Sequence, residues 1–440
     1  MTDTASNPTA PPRSAGDELA ELDRRHLLHP WTPVGSGDQL VLVAGQGCEV
    51  TDSYGRTYLD GRSGQFNATL GYGHPKVLAA LSEQAGKLMT YALLGSSNEP
   101  AVRLAARLAE LLGEPLTHTL FCNSGSEASE AAIRIARMYH ALQGRPERTT
   151  VISLADGYHG TTLATAGMSA TPLAWAGCGP RPEGFVQIPG PSQGPEHGAQ
   201  ELEKAVLAAG PETVAAFFVE PVLGVGGIRP LPHGYLREVR EICDRHGVLL
   251  VVDEVTTGLG RTGAWFAHQR EGVSPDLVTT GKGLAAGYVP FAAVTTTGAV
   301  AGAFAGDPML GGLRHGHTTS GHALGAAVAL AVLRVIEEEG LVDHAAAMGE
   351  RLIGQLTDRL KDVTGVKEVR GVGLLAGVEF DSFPRAGRVA DECRELGVVV
   401  RSEGTVMSVA PPLVVTAEQV DRIVDAVCSG AEAAAGMPGE

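Results

Sequence analysis

The run Val248-Leu-Leu-Val-Val-Asp253-Glu254-Val255 sets five apolar residues in a row and closes on two carboxylates. No polar position interrupts the apolar part, so it predicts a strand over Val248–Asp253 buried on both faces. Working outward, comparable runs stand at His118–Cys122, Thr149–Leu154, Thr213–Val219, Leu277–Thr280 and Phe291–Thr296. Helical periodicity separates several of them, as over Ser126–Ala141 and Pro232–His246. Near-continuous apolar strands alternating with helices predict an α/β domain with a mainly parallel sheet covered on both faces.

The boundaries follow from where this alternation starts and stops. A large domain is expected over 75–325. The stretch Ala323–Glu339 reads as a long, mostly buried helix leaving it. Beyond come strands at Val366–Arg370, Leu374–Phe380, Val398–Arg401 and Val406–Ala410 and a helix at Ala417–Cys428, a small α+β domain over 326–440. Residues 25–74 read as short strands and turns joining that small domain. Residues 1–24 read as a flexible tail, and the first sixteen lack the apolar core of a signal peptide.

Composition excludes several classes of function. At 44% hydrophobic and 19% charged, the 440 residues describe a folded soluble enzyme and not a disordered chain. The net charge of −16 opposes electrostatic capture of nucleic acid or of anionic membranes, since both need a basic face. The longest uncharged stretch after Lys282 is broken by Gly, Thr and Pro, so no membrane span is expected. Six scattered cysteines form no CxxC pair and no cluster with histidine. No disulfide framework and no metal site are expected, and a reduced cytoplasmic setting fits.

Four features carry chemistry. Lys282 is the only charged residue between Asp276 and Asp307, and it stands between Gly281 and Gly283 just past a buried strand. Burial disfavours the ammonium form, and a neutral amine is what condenses with an aldehyde. Asn123-Ser124-Gly125-Ser126-Glu127-Ala128 opens a helix directly after a strand, where free N–H groups and the positive dipole end make an anion cup. Asp253 and Glu254 close a strand, where open α/β sheets place their ligands, and a buried carboxylate there needs a cationic or N–H partner. Gly157-Tyr158-His159-Gly160 sets an aromatic ring on a loop, where it can stack on a flat molecule. Each also has a plain structural reading: a snorkelling lysine, a Ser124/Glu127 capping box, a carboxylate capping the next turn, a tyrosine in a turn. Together the four answer the needs of pyridoxal 5′-phosphate: an amine for its aldehyde, a cup for its phosphate, an acid for its pyridine nitrogen and an aromatic for its ring.

With these residues the sequence resembles the class III aminotransferases of the ω-aminotransferase group, within the fold-type-I pyridoxal-phosphate enzymes. The likeness runs from about His29-Pro-Trp-Thr32 to the last helix. It is carried by Asn123–Ala128, Tyr158-His-Gly160, Glu220-Pro221, Asp253-Glu-Val255, Gly260-Arg-Thr-Gly263, Lys282 and His317-Thr-Thr-Ser-Gly-His322. The resemblance implies a large domain with a mainly parallel seven-stranded sheet and a small α+β domain. It implies transfer of an amino group from an amino acid or ω-amine to a keto acid or aldehyde by a ping-pong mechanism. It also implies roles for single residues. Lys282 would form the Schiff base and later move a proton. Asp253 would hold the pyridine nitrogen, and Val255 and Tyr158 would cover the two ring faces. Ser124, Gly125 and Ser126 would bind the phosphate, with His159 and Glu220 nearby. Thr318 would complete the phosphate site of a partner subunit, which makes a homodimer with shared active sites.

For the substrate, Arg401 resembles the mobile arginine that grips a carboxylate in this group, a task suited to a planar guanidinium. Phe66 stands where the family usually has tryptophan, Thr319 replaces a common tyrosine, and Val225 occupies a position that is often alanine. Phenylalanine for tryptophan widens the pocket and valine for alanine narrows it. A decarboxylating transaminase or an aminomutase would use the same cofactor residues, and a non-catalytic pyridoxal-phosphate-binding protein would need neither Lys282 nor Asp253.

Overall fold

The computed structural model of the chain describes residues 14–35, 39–170, 172–194 and 196–438. At its centre stands the apolar run read above, a strand over Leu249–Asp253 with all five residues buried. Seven strands form the sheet: β1 (Leu116–Cys122), β2 (Thr150–Leu154), β3 (Phe185–Ile188), β4 (Val214–Val219), β5 (Leu249–Asp253), β6 (Leu277–Thr280) and β7 (Ala292–Thr297), in the order β1-β7-β6-β5-β4-β2-β3. In register, Val252 lies beside Val219 on one side and Val278 on the other, and both pairings are parallel. Only β7 runs antiparallel to its neighbours. This is the mainly parallel sheet that the sequence predicts, with one strand, β3, that it does not.

Alternation along β5 shows why both faces are apolar. Leu250 and Val252 join a core with Leu202, Val206, Leu236 and Val239, from the helices Gln200–Ala209 and Tyr235–His246. Leu249 and Val251 turn the other way, onto Ala128, Ala132 and Ile135 of the helix Gly125–Leu142. A strand with a helix layer on each side has no solvent face to keep polar.

The helix Ala323–Glu338 is buried along most of its length against the helices Pro75–Lys87 and Glu99–Leu112. After it, the helix Leu341–Leu360 leads into a four-stranded antiparallel sheet in the order Val366–Gly371, Ala376–Phe380, Val406–Val409, Arg401–Glu403. The helix Phe383–Glu395 packs on it, and the helix Ala417–Ala434 packs on Phe383–Glu395 and Leu341–Leu360. The N-terminal strands Leu42–Gln46, Glu49–Asp52 and Thr57–Asp60 form a second sheet. Its last member pairs in parallel with Val398–Val399, which ties residues from both ends of the chain together.

The expected tail over 1–24 holds a helix, Ala15–His26. Its start is fixed by a reciprocal capping box between Ser14 and Asp17, and Gly16 packs on the ring of Tyr54. A helix held by its cap, with few apolar positions, leaves little trace in hydropathy. Residues 1–13 lie outside the described residues. Among the described residues no helix is long and apolar enough to cross a membrane.

Candidate active site

Five strand ends converge at one edge of the sheet. The carboxyl ends of β1, β2, β4, β5 and β6 lead into Ser124–Ser126, Tyr158–Gly160, Glu220, Asp253 and Lys282. Loops at this edge of an open α/β sheet are where ligands bind. A cavity of about 150 Å³ lies among them, lined by Gly125, Ser126, Tyr158, His159, Gly160, Asp253, Val255 and Lys282.

Lys282 enters this cavity from a constrained backbone. Its φ is +34°, a left-handed value that residues with a side chain adopt only where their surroundings impose it. Gly281 and Gly283 let that happen, since a Cβ at Gly281 would stand 3.3 Å from Val255 and one at Gly283 would stand 3.2 Å from Thr69. The Nζ donates to Thr256 Oγ1. Burial lowers the Lys282 pKa below its ordinary value, although Glu220 and Asp253 act the other way. The amine is thus biased towards the neutral, nucleophilic form.

Asp253 is buried, and each of its oxygens has a partner on the protein. Oδ2 lies 2.8 Å from His159 Nδ1, and Oδ1 accepts the Val255 amide at 3.1 Å. Burial alone would lower the His159 pKa, but the hydrogen bond and charge of Asp253 outweigh it and the net shift is upward. Glu254 turns away from the cavity, and its Oε1 accepts the amide of His268 at 2.8 Å and lies 2.8 Å from that residue's Nδ1. Glu220 is also buried, accepting the amides of Tyr158 at 2.8 Å and Gly224 at 3.1 Å. Desolvation pushes its pKa up to about 7.

At the helix start, the cap and the cavity lining fall on different residues. Ser124 is the N-cap: its Oγ accepts the Glu127 amide at 3.2 Å, and it does not line the cavity. Gly125 and Ser126 do line it, and first-turn amides of a helix lack intrahelical acceptors. Here glycine is required. A Cβ at Gly125 would meet Val255 at 2.9 Å, and one at Gly160, whose φ is +122°, would meet Ser126 Oγ at 2.6 Å. Side chains at either position would fill the cup.

Pyridoxal phosphate suits this set of residues. Two glycines keep the cup open, an amine and a carboxylate line the same cavity, and His159 Nε2 is buried without a partner among the described residues. The sequence model of the family "Aminotransferase class-III" matches residues 33–429. The chain belongs to the class III aminotransferases. It is therefore a pyridoxal-phosphate-dependent enzyme that moves an amino group between a small-molecule donor and a keto acceptor. A diaminobutyrate–2-oxoglutarate transaminase of Halomonas elongata is 35% identical, over 92% of this chain and 94% of its own. Among solved structures, an (S)-enantioselective ω-transaminase from Thermomicrobium roseum is 36% identical with a TM-score of 0.91, covering 95% of this chain and 98% of its own. An amine transaminase from an uncultivated Pseudomonas species, solved in its PLP-bound form, is 33% identical with a TM-score of 0.90, over 94% and 99% of the two chains.

The other residues singled out in this aminotransferase are not part of the cavity lining. Phe66 is buried with a φ of +61°, and its ring carries Lys282 Nζ 5.4 Å from the centroid and Arg62 Cζ at 4.8 Å. Val225 is 39% exposed. Arg401 is half-buried on the strand Arg401–Glu403. Thr318 is exposed, and its neighbour Thr319 donates to Asn123 Oδ1 at 2.6 Å. The sequence reading did not point to Thr256, Arg62 or Glu403. Thr256 follows the acidic pair without any motif, and Arg62 meets Glu403 only through the fold.

Proposed function

We propose that this aminotransferase takes an amine or amino acid as donor and a keto acid or aldehyde as acceptor, with Lys282 as its covalent and proton-moving residue. The reading rests on one observation above all: the desolvated Lys282 amine, Asp253 and the Gly125–Ser126 cup line a single cavity. When bound, pyridoxal phosphate supplies an aldehyde that condenses with amines and a ring that withdraws electrons from the neighbouring carbon. Gly125 and Ser126 hold the phosphate. Asp253, oriented by His159, holds a proton on the ring nitrogen, and Val255 and Tyr158 confine the ring. Lys282 would hold the cofactor covalently at rest, and its Nζ, when free, would carry the proton lost by the donor's carbon. Glu220 fixes the Tyr158 loop through the Tyr158 amide.

Arg401 takes the carboxylate of a keto acid and leaves room for an apolar group when the substrate has none. Initial rates with donor and acceptor both varied should give parallel double-reciprocal lines, as a ping-pong enzyme does. Intersecting lines would contradict this reading, and carbon dioxide released from the donor would favour a decarboxylating transaminase.

The working enzyme is a homodimer in which Thr318 of each subunit completes the other's phosphate site. The support is that Thr318 is exposed and absent from its own chain's cavity lining. The exposed apolar residues Met89, Tyr91, Leu94, Met309 and Leu310 also supply surface for a partner to cover. We place the enzyme in the cytoplasm, where its six unpaired cysteines, five of them buried, stay reduced.

A further inference from the structure

Arg401 and Glu403 stand two residues apart on one short strand, so their side chains leave the same face. An arginine and a glutamate so placed are natural partners for each other. They do not pair here. Glu403 Oε1 instead accepts from Nη2 of Arg62, 341 residues away in the chain. Arg401 makes no side-chain hydrogen bond or ion pair among the described residues.

Arg62 is locked in place for this contact. Its side chain is only 4% exposed. Nε donates to Ser408 Oγ at 3.2 Å, Nη1 donates to Gln65 Oε1 at 2.7 Å, and the guanidinium lies over the face of Phe66. Ser408 is the register partner of Arg401. Arg62 thus grips both strands of the hairpin that presents Arg401. Burial lowers the Arg62 pKa, the Glu403 charge raises it, and the Arg401 charge lowers it again. Asp60 is a second acid that raises it, so Arg62 stands among Glu403, Asp60 and Arg401 and makes its side-chain ion pair with Glu403.

We propose that Arg62 is a positioning residue for substrate recognition: by claiming Glu403, it keeps the Arg401 guanidinium available for a substrate carboxylate. The inference rests on the reading of Arg401 given above. Without Arg62, Glu403 would be left partly buried and unpaired, a costly state that it relieves by turning to Arg401. The enzyme's own carboxylate would then compete with that of the substrate.

The test compares kcat/KM for pyruvate with kcat/KM for butanal, an acceptor without a carboxylate, using one donor and the cofactor-loaded enzyme. Arg62→Gln should lower the pyruvate-to-butanal ratio by about tenfold, mainly through the KM for pyruvate. Arg62→Gln combined with Glu403→Gln should bring the ratio back to within about threefold of the parent, because the rival carboxylate is gone. An unchanged ratio in Arg62→Gln would overturn the inference. So would a double variant that stays as poor as the single one, which would mean that Arg62 touches the substrate itself. If Arg62→Gln does not fold, Glu403→Gln alone decides: the ratio should hold or rise, and a fall would overturn the proposal. Arg401→Ala, assayed in parallel, separates the two readings. If it leaves the ratio unchanged, the role of Arg401 fails, whatever Arg62 does.

Discussion

The carboxylate of Asp253 shares one oxygen with His159 and the other with the Val255 amide, so it is held rigidly. Such preorganised charge contributes most where charge develops during reaction. Asp253→Asn should keep the fold and lower kcat by about 10²–10³-fold, measured as initial rates with saturating cofactor. A drop of less than tenfold would remove Asp253 from the chemistry. Glu220 gives a different prediction, in pH. Burial raises its pKa from 4.5 to about 7, so between these values the folded protein keeps a proton that the unfolded chain has lost. Its contribution favours folding at low pH and fades as pH rises from 4.5 to about 7. Glu220→Gln should therefore flatten this part of the stability curve of the cofactor-free enzyme, followed by urea unfolding. Identical slopes for variant and parent would contradict the assignment.

At the scale of elements, the start of the helix Gly125–Leu142 divides its tasks between neighbouring residues. Ser124→Ala should cost ~1 kcal/mol of stability, as loss of an N-cap does, with little effect on cofactor affinity. Ser126→Ala should show the reverse. Gly160→Ala places a methyl group 2.6 Å from Ser126 Oγ at a φ of +122°, and should weaken cofactor binding by at least about tenfold in a titration. The elements that position this site were legible because β5 is apolar up to Asp253, because β6 is Leu-Val followed by two β-branched threonines, and because Lys282 stands alone between glycines. The edge strand β3 was not. Of its four residues only Ile188 is fully buried, and prolines and glycines flank it. The tie between Arg62 and Glu403 was equally invisible, since no periodicity links residues so far apart. The capping reading and the cup reading of Asn123–Ala128 looked like rivals in the sequence. In the fold the cap is Ser124, and the residues that line the cavity are Gly125 and Ser126.

At the scale of the whole molecule, the proposed shared active site predicts a behaviour that one chain alone cannot show. In the proposed dimer, a subunit carrying Lys282→Ala would be inactive in its own cavity but would still offer its Thr318 to a partner. A subunit carrying Thr318→Arg would keep a sound Lys282 but would block its partner's phosphate site. Mixed and reassociated, the two should regain activity that neither has alone, because one site in each mixed dimer is intact. No recovery despite proven mixing would contradict the role of Thr318. A monomer by light scattering, active at that size, would contradict the dimer altogether.

The most direct test of the account is covalent trapping. The cofactor-loaded enzyme is reduced with borohydride, digested and examined by mass spectrometry. The account predicts a pyridoxyl group on the peptide containing Lys282, lost in Lys282→Ala together with turnover. A pyridoxyl group on another lysine, or undiminished turnover by Lys282→Ala, would contradict it.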